Sequence, residues 1–183
     1  MAFSFSCTLS GVSTPLKHAW EHTVGSDHAP VALRADWQGQ LRRCHDELGF
    51  RHVRFHGLLS DDLGTLIRHK EQLLYSFFNA DRIWDFLLSI GMRPFVELSF
   101  MPETLASGHD IVFHYRGNVT PPKDYEEWAT LIRTLVTHWV DRYGVEEVQR
   151  WFFEVWNEPN LSAFWSGTQD DYFQSLQPYS AGD

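Results

Sequence analysis

The sequence predicts an α/β fold of four strand-then-helix units, a (β/α)8 TIM barrel truncated to about its first half. Three observations predict it. Strand-like apolar runs alternate with amphipathic stretches of helical period, the order expected of a parallel sheet covered by helices. The last run, Trp151-Phe152-Phe153-Glu154-Val155-Trp156-Asn157-Glu158-Pro159-Asn160, is aromatic and β-branched until it stops at Asn-Glu-Pro. A buried parallel strand that delivers a carboxylate to its own C-terminal end has this form. The third observation is length: 183 residues make one domain, short of the roughly 250 that a complete barrel needs.

The elements follow in order. Residues 1–30 are the least regular; Phe3 and Phe5 alternate briefly, and Lys17 to Ser26 carries the first strand. His18 and His22 are spaced i, i+4, but the stretch lacks helical character and the zinc-protease glutamate, so no metal is expected there. Asp36 to Leu48 reads as a helix with Trp37, Leu41, Cys44 and Leu48 on one face and Gly49 as its stop. The run His52 to Leu59 alternates, which places His52, Arg54 and His56 on one side of a strand. Facing a barrel interior, Arg54 needs an anion; a satisfied structural ion pair is the ordinary way to supply one. Asp61 and Asp62 read as solvated loop acids.

Residues 63–79 form an insertion longer than most strand-to-helix loops. Asn79 is placed to cap a helix bearing Ile83, Phe86, Leu87 and Ile90, which Gly91 ends. Pro94 to Phe100 is the third strand, with Glu97 in its middle as a structural partner for Arg54. A punctuated loop from Met101 to Lys123 precedes the clearest helix, Asp124 to Tyr143. There Asp124 and Glu127 have capping-box spacing, Trp128, Leu131, Leu135 and Trp139 share a face, and Gly144 ends the run. After the Asn-Glu-Pro strand, Leu161 to Trp165 makes a turn. Thr168 then opens a helix that buries Tyr172, Phe173 and Leu176 and is cut short from Gln177 to Asp183.

An isolated Asn-Glu-Pro is more often a polar turn than a site, but its flanks change that. Trp156-Asn157-Glu158-Pro159-Asn160, preceded by Phe153-Glu154-Val155, resembles the acid/base motif of glycoside hydrolase clan A, specifically the family 39 β-xylosidases. The resemblance runs from about Thr14 to Leu176 and departs at Gln177. It implies that Glu158 is the general acid/base at the end of strand four and that Asn157 touches the sugar 2-hydroxyl. By the same resemblance, the Arg-x-His-Gly-Leu-Leu segment makes Arg54 and His56 pocket residues. Phe113 becomes an aromatic wall, with His114 and Tyr115 as further candidates beside it. His18 or Trp20 either lines the pocket or packs. An α-L-iduronidase-like hydrolase shares the family, but His52-Val53-Arg54-Phe55-His56-Gly57 and Gly117-Asn118-Val119-Thr120-Pro121-Pro122 match the xylosidases more closely.

Composition narrows the partners. Fifteen Lys and Arg against 24 Asp and Glu give a net charge of −9, which disfavours nucleic acid and anionic membrane. Eight Trp serve as core or as platforms for sugar faces. Cys7 and Cys44 suggest neither a disulfide framework nor a metal site. With no signal-like start and no long apolar span, the expected setting is cytoplasmic, with xylosides or xylo-oligosaccharides as ligands and no metal or cofactor.

A retaining mechanism needs a second carboxyl about 5–5.5 Å from the first. Glu154 is four strand residues from Glu158, roughly 13 Å at about 3.3 Å per residue, so it cannot be that group. In clan A the nucleophile comes from strand seven, which would leave this chain an acid/base half-site. A non-catalytic sugar-binding or assembly half-barrel is the alternative of a different class. In either case, open sheet edges favour self-association.

Overall fold

The structure, a computed structural model, describes residues 3–6, 11 and 13–177. A 3-10 turn at Ala19–Glu21 leads into β1 (Thr23–His28), and a second at Ala29–Leu33 leads into α1 (Ala35–Leu48). Next come β2 (His52–His56), a hairpin of β3 (Leu66–His69) and β4 (Gln72–Tyr75), α2 (Phe78–Ser89) and β5 (Arg93–Glu97). The ribbon β6 (Ile111–Val112) and β7 (Gly117–Asn118) precedes α3 (Tyr125–Tyr143), α4 (Val145–Val148), β8 (Phe152–Glu154) and α5 (Gln169–Ser175). The main sheet is parallel with order β1-β2-β5-β8, so each strand lies beside the next one its helical connection allows. This is an α/β fold with a helix-covered parallel sheet. Among the described residues, no helix is long and apolar enough to cross a membrane. Cys7 and the end of the chain from Pro178 lie outside the described residues.

The alternation in β2 sorts its side chains as expected. Val53 and Phe55 are buried towards the helices, while His52, Arg54 and His56 are half-buried on the other face. The helix-side core is built on tryptophan: Trp84 of α2 packs on Phe55 at 5.7 Å, Trp139 of α3 at 5.8 Å and Trp151 at 6.1 Å. Ile83, Leu87, Val96, Leu131 and Leu135 fill the space around them. Burying such side chains is worth about 1.5–3 kcal/mol each for the aliphatic residues, which is what holds the helices to the sheet. α1 stops where expected because Gly49 takes a left-handed conformation, φ 76°, and donates its N–H to His45.

Several elements differ from the sequence expectation. The strands end earlier, at His56, Glu97 and Glu154. Glu97 therefore closes its strand rather than sitting mid-strand. Phe152 and Phe153 are each 41% exposed, since β8 is an edge strand with one neighbour. Asn79 lies inside α2 and caps nothing: its side-chain amide donates to the Leu63 carbonyl and ties the helix to the preceding loop. Asp124 does cap α3, accepting from the N–H groups of Glu126 and Glu127. The Glu127 carboxylate, however, turns to Arg68 of the hairpin at 2.7 Å. The full capping box is instead at α5, between Thr168 and Asp171. Leu48 and Phe173, read as core, are exposed.

Gly117 is a close-approach position. A Cβ there would stand 2.5 Å from the Phe100 ring, and that ring packs on His56, Phe113, Trp156 and Phe164. Gly117→Ala is expected to cost about 1–3 kcal/mol by overpacking, measured by urea unfolding; an unchanged midpoint would show that Phe100 moves freely.

Burial with nearby carboxylates raises the phenol pKa of Tyr115 and Tyr143, and burial with Asp171 pushes Tyr125 up to about 12. Tyr75 and Tyr172 shift the same way, mainly through burial. A raised folded-state value means that the unfolded chain loses these protons first. Their contribution is complete below the ordinary value of about 10 and is lost as pH rises above it. The thermal midpoint should therefore fall above about pH 10, with phenolate absorbance appearing together with unfolding. Phenolate absorbance near pH 10 in the folded chain beyond that of one tyrosine, Tyr179, which lies outside the described residues, would contradict this.

Candidate active site

Three strands present polar side chains on the face away from the helices, and their C-terminal ends converge on Arg54. From β2 its guanidinium donates through Nε to Glu154 at 2.6 Å and through a terminal nitrogen to the same carboxylate at 2.9 Å. A terminal nitrogen also lies 2.8 Å from Glu97 and donates at 2.9 Å to the side-chain oxygen of Asn157. Burial disfavours the cation. The hydrogen bonds it donates to Glu154 and the charges of Glu97, Glu154 and Glu158 outweigh that and hold its pKa above the ordinary value.

Glu97, whose side chain is 0% exposed, needs these partners. His56 donates Nδ1–H to it at 2.8 Å, and the Ser99 hydroxyl also donates to it. The Asn157 N–H reaches the Ser99 oxygen at 3.4 Å, which closes the network back onto the Asn-Glu-Pro segment. Glu97 thus pairs with Arg54, as expected, but equally with His56. Glu154 is a second Arg54 partner that sequence reasoning missed. Register could have revealed it: Arg54 is aligned with Phe95 and Phe95 with Phe152, which sets Glu154 one inward-facing position further on.

Arginine offers only donors, so the Asn157 atom facing it must be the oxygen. That leaves the amide NH₂ as the group able to donate elsewhere, and the residue is buried in this orientation. Glu158 follows in an unusual backbone state, φ 41°, with its carbonyl accepting from Leu161. Proline at 159 disfavours the right-handed helical region for Glu158; the chain adopts the left-handed alternative rather than an extended strand end. A non-glycine residue held there costs on the order of 1–3 kcal/mol, and the side chain is exposed.

Phe113, at φ 60° on the tip of the β6–β7 ribbon, stacks on His56 with centroids 5.5 Å apart. Phe164, also missed, continues the aromatic surface at 5.6 Å from Phe113. A cleft of about 460 Å³ lies beside them, lined by Gly25, Ser26, Asp27, His56, Phe113, His114 and Tyr115. All five predicted site residues, Arg54, His56, Phe113, Asn157 and Glu158, therefore belong to one connected region. His18 and Trp20 do not: they stack on each other at 4.4 Å just before β1, at the opposite end of the sheet. Asp61 and Asp62 are not merely solvated. Asp61 accepts the Glu103 N–H, its pKa raised by burial, and Asp62 accepts from His28 at 3.1 Å.

Replacing Arg54 with Met removes the cation and leaves Glu97 buried beside only His56 and Ser99. Breaking a buried pair from one side costs about 3–5 kcal/mol, the loss expected for Arg54→Met in urea unfolding. Adding Glu97→Gln should recover part of it. A loss below about 1 kcal/mol would place Arg54 in the surface class of ion pairs.

Comparison with known proteins bears on this geometry. The sequence model for Glycosyl hydrolases family 39 matches residues 9–182. The chain is 60% identical over 164 residues to a β-xylosidase of Caldicellulosiruptor saccharolyticus, covering 88% of this chain and 33% of the relative. It is 45% identical over 163 residues to a β-xylosidase of Geobacillus stearothermophilus, covering 86% and 32%. It superposes on the crystal structure of a monomeric β-xylosidase from Caulobacter crescentus CB15 with a TM-score of 0.85 and 39% identity, over 96% of this chain and 36% of that one. The chain thus spans about a third of the length of the curated relatives it matches. With nearly its whole length matched, the chain belongs to glycosyl hydrolase family 39.

Proposed function

We propose that the chain is the N-terminal part of a (β/α)8 catalytic barrel that hydrolyses terminal β-xylosyl linkages with retention, with Glu158 as general acid/base. The observation that carries this is the Arg54–Asn157 hydrogen bond, which fixes the Asn157 amide beside an exposed carboxylate at the C-terminal end of a parallel sheet. Family membership and the likeness to xylosidases support the same substrate class and favour it over the iduronidase-like alternative.

In this reading Glu158 protonates the glycosidic oxygen as the bond breaks and then takes a proton from the water that releases the sugar. Asn157 donates to the sugar 2-hydroxyl. Phe113, stacked on His56, forms the aromatic wall. The nucleophile comes from outside these four strands. Glu97 is unsuited to the role because it is fully buried and shared among Arg54, His56 and Ser99, and Glu154 is committed through both its oxygens to one edge of the Arg54 guanidinium. A carboxylate so neutralised is a poor nucleophile. The same pairing leaves a second reading open, a sugar-binding half-barrel without catalysis of its own, and one experiment separates the two.

The chain alone should not turn over an aryl β-xyloside, whereas mixing it with a segment carrying strands five to eight of a family 39 xylosidase should restore activity. In the restored complex, Glu158→Gln should slow hydrolysis of a poor leaving group by roughly 10²- to 10⁴-fold. An activated aryl xyloside, which needs no protonation, should still release its phenol in the first step. Full activity of the chain by itself, lost on Glu97→Gln, would make Glu97 the nucleophile and overturn the proposal. Sugar binding with no activity in any mixture would select the second reading.

A further inference from the structure

Beside the network just described stands a second group of polar side chains that the proposed chemistry does not use. Asp27 and His28 end β1, and His114 lies on the β6–β7 ribbon next to Phe113; one donor atom from each of the three lies within 4.8 Å of the others. His28 is the informative member. Its ring is nine-tenths buried, with 9% of the residue exposed. It stacks flat on Tyr115 at 4.1 Å and 5°, which fixes the ring plane. Its Nε2–H donates to Asp62 at 3.1 Å. In a neutral imidazole that bond leaves the lone pair on Nδ1. Nδ1 is buried and makes no hydrogen bond, standing 3.4 Å from the Asp27 carboxylate. His114 meets the His28 ring edge-on at 5.7 Å.

A histidine with one nitrogen tied to a carboxylate and the other bare, facing a second carboxylate and a second histidine, is the arrangement that orients a metal ligand through its outer partner. We propose that Asp27, His28 and His114 form a divalent-cation site of zinc type, with Asp62 as the positioning residue behind His28. Two imidazole nitrogens and one carboxylate oxygen suit Zn²⁺ and leave a fourth position open. Zinc–ligand distances of about 2.0–2.2 Å put tetrahedral donors roughly 3.4 Å apart, so donors that lie within 4.8 Å of one another must draw together on binding. His114 and Asp27 are both exposed, so the adjustment falls on the ribbon and the end of β1 rather than on the buried ring. Occupation would tie the ribbon to β1 and hold Phe113 against His56, on the cleft that both line.

The test uses metal-stripped chain titrated with Co²⁺ and followed by visible absorbance, then with Zn²⁺ in competition. The expected result is one Co²⁺ per chain with a low-symmetry visible band that Zn²⁺ abolishes. Asp62→Asn should weaken binding by about 10- to 100-fold. His114→Ala and Asp27→Ala should weaken it at least as much, while His69→Ala, at an exposed histidine of the hairpin, should leave it unchanged. His28→Ala risks the fold because the ring is buried, so the two exposed ligands carry the test, each checked for unchanged circular dichroism. Co²⁺ bound no more tightly by the parent chain than by His114→Ala would overturn the proposal and leave His28 as a buried ring held between two aspartates. Tight binding that survives His114→Ala but is lost with His69→Ala would overturn it equally, by placing the metal on the hairpin.

Discussion

A carboxylate sealed inside a protein must find a cation, and much of the polar face of this sheet follows from how Glu97 does so. Arg54 reaches across from the neighbouring strand to Glu97, extends its fork to Glu154 on the strand beyond, and spends a further donor on Asn157. Three strand ends are therefore set relative to one another by one planar cation whose donors have fixed directions. The orientation of the Asn157 amide is a by-product of that geometry. Lysine could not impose it, because an ammonium group does not select two carboxylates and an amide oxygen in one plane.

The two faces of the sheet were readable because a strand has a period of two. His52, Arg54 and His56 could be assigned together to one side, and Val53 and Phe55 to the other, without knowledge of any neighbour. The helices were readable for a similar reason: the stripe of Trp128, Leu131, Leu135 and Trp139 is buried in full, as a 3.6-residue period requires. The resemblance of Asn157-Glu158-Pro159 to a family motif then suggested the roles proposed above, which periodicity cannot supply.

What was not legible depends on distance along the chain or on backbone state. Glu154 lies 100 residues from Arg54, and only strand order and register place the two together. Asp62 looks solvated until His28 is known to lie behind it. Asn79 and Glu127 carry good local capping signals, but each finds a tertiary partner, the Leu63 carbonyl and Arg68. Propensity is a weak prior wherever such a partner exists. Nor does any composition signal announce that the β6–β7 ribbon would turn through Phe113 and Arg116 at positive φ to lay an aromatic ring on His56.

The left-handed backbone at Glu158 sets the proposed function against stability over evolutionary time. Glycine occupies that conformation without steric penalty, so drift from Glu158 to Gly would relieve strain on the order of 1–3 kcal/mol while removing the carboxylate. Selection for folding alone would thus erode the residue, and only selection for catalysis would retain it. If Glu158 has the proposed role, a lineage released from that role should lose the glutamate early and leave the Arg54 network intact as a scaffold.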